Sequence, residues 1–334
     1  MTHLPVQADT GRLEPPALLV HGGAGMFSGI EDGRDVDWLT DGLRQALAAG
    51  WDVLAGGGGS FAAVVEAVAC LEDSGRFNAG RGAVTTSDGT HEFDAGVMDG
   101  ATGKVGAICA ATWPANPVRV AMAVAEDGGT PNGPLLLAGV GADRYAEAEG
   151  WPRMTPAMLA RARASGDGRR GLAGQDQRGS AEPRPSGESR GTGHAPEPSS
   201  AGTVGAVAVD AGGNVAAATS TGGRSGQLRG RVGDSPIPGA GVWAAPGTVA
   251  VSATGAGEAF VVAGFAHLVE WRLRAGGVLA AAVGEALDAV AALGGDGGAI
   301  SICPDGSFTA SFNSRAMARG WRDATGESVA LFAV

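Results

Sequence analysis

Residues 164–200, "ASGDGRRGLAGQDQRGSAEPRPSGESRGTGHAPEPSS", contain almost no large apolar side chain and split the chain into two well-patterned halves. Gly, Ser, Pro, Arg and acids cannot bury enough surface to offset the entropy of ordering them, so the stretch is expected to be disordered. A loop of this length inside a compact domain is uncommon and signals a linker or a functional tether. Order resumes abruptly at "AGTVG", residues 201–205, with a Gly-Thr pair at the lip of a strand pattern.

Outside that stretch there is ample material for a core: 44% of the 334 residues are hydrophobic, enough for one large domain or two medium ones. The 59 glycines and only 5% aromatics point to closely packed backbones and small side chains lining sites. Before the linker, "ALLVHGG" (17–23) reads as a short strand, and "DVDWLTDGLRQALAAG" (35–50) and "SFAAVVEAVACLEDSG" (60–75) have helical spacing, the second with Ser60 as N-cap. "HEFDAGVMDG" (91–100) and "KVGAICAATW" (104–113) read as two strands joined by a glycine-containing turn. After it, "TVGAVAVD" (203–210), "NVAAATST" (214–221) and "TVAVSATG" (248–255) are strands. Residues 257–276 and 277–295 are helices, and "GAISICPDGSFTASFN" (298–313) is a hairpin turning at "PDGS". Strands, then helices, then strands is an α+β order, best buried with helices outside and sheets inside.

Composition excludes several kinds of function. A net charge of −11 argues against general affinity for nucleic acid or anionic membranes, so an anionic substrate must meet a few local arginines. Lys104 is the sole lysine, and its "TGKVG" setting is no phosphate loop, which also leaves Schiff-base chemistry one poor candidate. Cys70, Cys109 and Cys303 are scattered and apolar in context, as expected of buried free thiols. His3, His21, His91, His194 and His267 never fall in zinc-binding spacing, and His21 reads as structural. "HGGAG" (21–25) resembles an esterase oxyanion loop, but no serine sits in G-x-S-x-G. The first sixteen residues lack a signal-peptide pattern, and no apolar run of about eighteen residues occurs, so a cytoplasmic location is expected.

Threonines remain. A threonine hydroxyl is a weak nucleophile, and without a histidine it is activated by making the residue an N-terminus, whose α-amine is the base. That amine has an ordinary pKa of about 7.7–8.0, so a useful fraction is unprotonated near neutrality. Thr203 follows Gly202 at the end of a segment able to swing aside once cut. Taken alone, Gly202-Thr203 is just a strand start after a linker, but its surroundings favour the chemical reading. "ATSTGG" puts Thr219 and Thr221 on one strand face, within reach of a nucleophile. "GRVGDSP" supplies Arg231 and Asp234, and "SATGAGE" ends a strand with a Thr254-Gly255 pair able to donate to an oxyanion.

The run "GTVGAVAVDAGGNVAAATSTGGRSGQLRGRVGDSPIPGAGVWA" (202–244) closely resembles the plant-type asparaginase and isoaspartyl peptidase family of N-terminal-nucleophile hydrolases. "LLVHGGAG" (18–25) and "FNAGRGAVTTSDGTHEFDAGVMDG" (77–100) are similar to its N-terminal motifs, in the same order. The resemblance implies a four-layer αββα sandwich, formed as a single domain. The precursor would cut itself between Gly202 and Thr203, giving an α chain of 1–202 with a disordered 164–202 tail and a β chain of 203–334. The two would associate as (αβ)2. By the same resemblance Thr203 is nucleophile and base, Thr221 orients its hydroxyl, and the Thr254 hydroxyl with the Gly255 N–H forms the oxyanion hole. Arg231 would hold the substrate α-carboxylate, and Asp234 with a carbonyl of the 255–257 turn, at Gly257, its α-ammonium.

Asparagine and β-aspartyl dipeptides share that head group beside the amide that is cleaved, so one arginine fork and one carboxylate suffice to recognise either. Asp234 also suits a turn cap before Pro236, with Arg231 as its structural partner. Asn78 would position the cleavage-site backbone or a water, or else is a turn asparagine tolerant of left-handed backbone. "LEDSGRFNAGR" (71–81) resembles the family's sodium loop, with backbone carbonyls of Leu71, Glu72, Phe77 and Ala79 as ligands; no other cofactor is implied. Arg224 and Arg229 depart from the family pattern, which is often apolar or proline there. Two other readings stay open: a glycosylasparaginase, which typically has Asp before its nucleophile and is secreted, and a non-catalytic relative that binds aspartyl-like ligands.

Overall fold

The computed structural model describes residues 4–25, 36–128, 133–165 and 202–332. The expected disorder over 164–200 thus falls almost wholly outside the described residues; residues 164 and 165 themselves close a helix.

The first half forms strands β1 (Gln7–Arg12) and β2 (Ala17–Gly25), helices α1 (Val36–Ala55) and α2 (Ser60–Ser74), and a 3-10 turn at Gly80–Gly82. Strands β3 (Phe93–Asp99) and β4 (Val105–Ala111), helix α3 (Pro117–Asp127), strand β5 (Leu136–Ala138) and helices α4 (Val140–Ala148) and α5 (Pro156–Ser165) follow. From Gly202 onward come β6 (Val204–Val209), β7 (Val215–Thr221), β8 (Val242–Ala245) and β9 (Val249–Gly255). Helices α6 (Gly257–Ala263), α7 (Phe265–Arg274) and α8 (Leu279–Ala292) lead to β10 (Gly297–Ile302), β11 (Ser307–Phe312), β12 (Ala316–Asp323) and β13 (Gly326–Ala330).

Two sheets result, β1-β11-β10-β9-β8 and β13-β12-β2-β6-β7-β3-β4-β5. Strand period explains how they stack. On β2, Leu18 and Val20 pack with α1 and α2, whereas Ala17 and Leu19 face the other sheet; on β6, Val204, Ala206 and Ala208 take the first side and Val207 and Val209 the second. On β9, Val251 and Ala253 meet Phe260, Phe265 and Leu287 of the opposite helices while Ala250 faces inward. Three apolar layers therefore separate four layers of structure, helix on sheet, sheet on sheet and sheet on helix, and strands buried on both faces read as nearly continuous apolar runs.

Two sequence expectations need correction, and residues given no element in the sequence form a further strand. The segment 257–276 is two helices, because Gly264 adopts φ of 58° and breaks the run before α7 begins. Ser60 is the first residue of α2, not its cap; Gly59 holds the cap position, and the Ser60 N–H reaches the Asp210 carboxylate at 3.4 Å. The unassigned N-terminal residues supply β1, which pairs antiparallel with β11 and is tied by Asp9 to the buried Arg319 of β12. Among the described residues no helix is long and apolar enough to cross a membrane, and all three cysteines are free.

Candidate active site

The centre of the eight-stranded sheet joins strands from both halves of the chain. β6 pairs with β2 on one side and β7 on the other, with Val204 opposite Ser220, which brings Thr203 across from Thr221. The Thr203 hydroxyl donates to Thr221 Oγ1 at 3.1 Å, and the Gly223 N–H donates to the same oxygen at 3.1 Å. Thr221 is buried, so its hydroxyl is held from two sides. Thr219 shares its strand face but sits deeper, hydrogen-bonded to Ser252 Oγ at 2.7 Å and to the Gly241 carbonyl at 3.1 Å.

The Gly202-Thr203 junction is pressed against the end of β2. A Cβ on Gly23, whose φ is +108°, would stand 2.4 Å from Gly202 N, and one on Gly202 would meet Gly23 Cα at 3.1 Å. Gly23 has no room for a Cβ, and one on Gly202 would be tight, so the backbones approach closely here because both are glycine. The second contact at Gly202 is Thr254 Oγ1, 3.3 Å from that Cβ position. Thr254 is buried, and its oxygen accepts the Ala24 N–H at 3.3 Å, so its own O–H proton is left to donate beside the Gly202-Thr203 bond. Gly255 follows at the end of β9 with φ of 149°.

Beneath the junction lies His21, fully buried, with Nε2 2.9 Å from Ser252 Oγ. Burial pulls its pKa down to about 3, against an opposing backbone contact from Thr203, so the ring is neutral. It continues the polar chain through Ser252 to Thr219, a structural brace between the two sheets.

The loop after β7 carries the charged residues. Arg231 does not pair with Asp234. Its fork closes on Glu258 at the start of α6, with Nε to Oε1 and Nη2 to Oε2 both at 2.9 Å, so a carboxylate already occupies it in bidentate fashion. Asp234 is buried and turned to the same place: Asp234 Oδ1 and Arg231 Nη2 stand 2.9 and 3.0 Å from where a Cβ on Gly257 would be. Its Oδ2 has no hydrogen-bond partner among the described residues. Desolvation pushes its pKa up to about 7, partly opposed by Arg231. An anion-binding fork and the Oδ1 edge of a carboxylate thus meet over a glycine floor, which suits a ligand with both a carboxylate and an ammonium.

Asn78 is buried after α2 and braces this end of the sheet. Its Nδ2 donates to the Gly223 carbonyl, its Oδ1 accepts the Val84 N–H at 3.0 Å, and its carbonyl accepts the Gly222 N–H at 2.9 Å. It therefore fixes the turn leaving Thr221. Arg224 approaches Glu258 at 3.9 Å, and Arg229 is held by Glu92 at 3.4 Å and Asp88 at 3.8 Å.

The side-chain roles of three acids escaped the sequence reading. Glu258 lay within the quoted "SATGAGE" but nothing local linked it to Arg231. Asp94 faces Thr221 across β3 and β7, accepts the Ala110 N–H at 2.7 Å, and is raised to about 6 by burial. The Glu72 side chain is fully buried beneath β7, accepting Ser220 Oγ at 2.6 Å and the Val118 N–H at 3.0 Å, and desolvation raises it to about 8. Between its ordinary value of 4.5 and about 8 the unfolded chain has released a proton that the folded one keeps, so this group's contribution to stability falls as pH rises through that interval. Glu72→Gln, neutral at every pH, is expected to lack that component: wild-type melting temperature should drop relative to the variant between about pH 6 and pH 8.5, as followed by melting curves.

Comparison with known proteins gives the family of the chain. Across 91% of its length the chain is 38% identical to a Salmonella typhimurium protein named isoaspartyl peptidase, covering 94% of that protein. It is 40% identical to a Pyrobaculum calidifontis protein named plant-type L-asparaginase, with 91% and 96% covered. It is 37% identical to a Rattus norvegicus protein named isoaspartyl peptidase/L-asparaginase, with 90% and 84% covered. A family model described as Asparaginase matches residues 14–331, and the chain belongs to that family of hydrolases.

Proposed function

We propose that this protein cuts itself between Gly202 and Thr203 and then hydrolyses the side-chain amide of L-asparagine and the isopeptide bond of β-aspartyl dipeptides. The observation that carries this reading is the Thr203 hydroxyl, hydrogen-bonded to Thr221 and placed at a Gly-Thr junction that Gly23 and Thr254 enclose.

In self-cleavage, Thr203 Oγ1 attacks the Gly202 carbonyl carbon; the C–N bond breaks as a C–O ester forms, and water then splits the ester. That frees the carboxyl of Gly202 and the α-amine of Thr203. In turnover this amine takes the proton of Oγ1 as it attacks the substrate amide. The Thr254 O–H and Gly255 N–H stabilise the oxyanion. Ammonia or an amino acid leaves, and water releases aspartate from the β-aspartyl-threonine ester. Arg231 binds the α-carboxylate in place of Glu258, and the Asp234 carboxylate takes the α-ammonium. The chains 1–202 and 203–334 stay together through their shared sheet, and two such pairs associate as (αβ)2. Exposed Val262, Trp271 and Val278 on the outer helical layer support further association.

A sodium ion fits the turn after α2. Carbonyls of Glu72 and Phe77 line it, 2.9 Å and 2.1 Å from the Cβ positions of Gly80 and Gly82. That of Leu71 accepts the Ser74 hydroxyl at 2.7 Å and that of Ala79 the Gly82 N–H at 3.0 Å. A bound ion would rigidify the turn that carries Asn78.

Assay of the processed protein on L-asparagine, β-aspartyl-leucine and a glycosylated asparagine side by side tests the substrate. Hydrolysis of the glycosylated compound alone, or of none, overturns the reading. The pH dependence is a second check. Asp234, at about 7, must be ionised to hold the ammonium. KM is therefore expected to rise as pH falls below about 7, approaching tenfold per pH step, while kcat falls with protonation of the Thr203 amine near about 7.7–8.0. Asp234→Asn should raise KM and flatten its pH profile without moving that of kcat; a wild-type KM constant between about pH 5 and 8 would contradict the assignment.

A further inference from the structure

None of the roles above uses Arg224, yet its backbone is fixed on the nucleophile's own turn. The Gly223 N–H before it donates to Thr221 Oγ1 at 3.1 Å, and the Gly223 carbonyl accepts Asn78 Nδ2 at 2.6 Å. The Arg224 N–H donates to Gln227 Oε1 at 2.9 Å, and the Gln227 N–H donates back to the Arg224 carbonyl at 3.0 Å. Gln227 is buried against Gly223, where a Cβ would stand 2.2 Å from Gln227 Oε1. The Ser87 N–H to the Gln227 carbonyl and the Gly226 N–H to the Thr85 carbonyl, both at 2.8 Å, tie the turn to the first half of the chain. The side chain of Arg224 therefore projects from a fixed base.

It projects towards Glu258. Arg224 Nη1 lies 3.9 Å from Glu258 Oε2, the oxygen that also accepts Arg231 Nη2 at 2.9 Å. One carboxylate thus stands between two guanidiniums, closed on Arg231 and about 1 Å short of a hydrogen-bonded pair with Arg224. Side-chain exposure is 17% for Arg231, 57% for Glu258 and 70% for Arg224, so the fork is held in place while the acid and the second arginine are free to turn. Glu258 is kept below its ordinary pKa, first by the Arg231 hydrogen bonds and to a smaller extent by the charge of Arg224, and so carries its charge wherever it moves. Among the described residues Arg224 approaches no other carboxylate.

We propose that Arg224 receives the Glu258 carboxylate when the α-carboxylate of a substrate takes the fork of Arg231, and so acts as a positioning residue for binding of the head group. The proposal rests on the hydrolase reading above. A carboxylate displaced by another stays close to it, and the two repel unless the displaced one finds a cation. With Arg224 in place every charge of the occupied site has a partner: the substrate carboxylate on Arg231, its ammonium on Asp234, and Glu258 on Arg224. Without it Glu258 competes for Arg231 with only water as its alternative, and the occupied site holds one unpaired negative charge. The exchange concerns the head group alone, so its effect is the same for L-asparagine and for a β-aspartyl dipeptide.

The test measures kcat and KM on L-asparagine and β-aspartyl-leucine for the processed wild type, Arg224→Gln, Glu258→Gln and the double variant. Arg224→Gln is expected to raise KM by about threefold to fivefold on both substrates, the range of an exposed ion pair, with kcat unchanged. The rise should vanish in about 1 M salt, which screens such a pair. In the Glu258→Gln background no displaced charge needs a receiver, so Arg224→Gln should change nothing further. Arg224→Lys keeps the charge and should hold KM within about twofold of the wild type. An unchanged KM in Arg224→Gln overturns the proposal. So does an equal rise in the Glu258→Gln background, which would mean that Arg224 attracts the substrate directly, or a rise on β-aspartyl-leucine alone, which would mean that it holds the leaving residue. In each of these cases the hydrolase reading stands. A wild type inert towards both substrates overturns that reading, and the proposal with it.

Discussion

Thr203→Ala is expected to remain one chain of 32.8 kDa, without the smaller product beginning at residue 203, and to hydrolyse neither L-asparagine nor β-aspartyl dipeptides. The same oxygen is asked to do both jobs, and alanine removes the hydroxyl that donates to Thr221 Oγ1 at 3.1 Å. Loss of a nucleophile costs roughly 10^4-fold to 10^6-fold where the remaining machinery stays intact. The fold should survive, since the substitution removes a hydroxyl and a methyl from the lip of β6 and leaves its ladder untouched. Thr203→Ser keeps the oxygen and is expected to cut, more slowly, and to retain measurable turnover. Intact mass and N-terminal sequencing report the first event and an ammonia-release assay the second. An uncut wild type with full activity would remove the nucleophile from Thr203.

Arg231→Leu is expected to raise KM by about 10^2-fold to 10^3-fold, equivalent to about 3–4 kcal/mol, with a smaller change in kcat. The fork recognises a part of the substrate that does not react, so its interaction is made in ground and transition states alike. Glu258→Gln separates recognition from structure. If Arg231 served chiefly to pair with Glu258, losing either partner would be equally harmful. If the fork is the head-group site, neutralising its internal competitor should leave KM unchanged or lower it. Steady-state kinetics on the three proteins, after correction for the processed fraction, distinguish the outcomes.

The parts of this site that could be read from sequence are those set by local spacing. Thr219 and Thr221 share a face because strands have a period of two, and Thr254-Gly255 closes a strand for the same reason. The layering was legible from strands that are apolar on both sides and helices that are apolar on one. What could not be read depends on pairings distant in sequence. Asp94 becomes a neighbour of Thr221 only through the β3–β7 ladder, and Glu258 reaches Arg231 only because β9 turns into α6 above the 231–234 loop. Local spacing also misled: the run 257–276 is helical in pattern throughout, and one left-handed glycine divides it. The charges of Arg231 and Asp234 look like a pair in sequence, yet in space they converge on Gly257 without bonding to each other.

The eight-stranded sheet interleaves the two halves of the chain: β2, β3, β4 and β5 come from before residue 203, and β6, β7, β12 and β13 from after it. The uncut chain builds this sheet as a first-order event, its halves held at high effective concentration by the tether. After the proposed cut the same sheet joins two separate molecules, and neither possesses a complete set of neighbours for its central strands. Rebuilding it would be a second-order encounter between fragments with exposed strand edges, in competition with aggregation. Maturation would thus exchange a reversible fold for one assembled only once, so that the working lifetime of the enzyme is governed by how slowly it first opens rather than by an equilibrium between folded and unfolded forms.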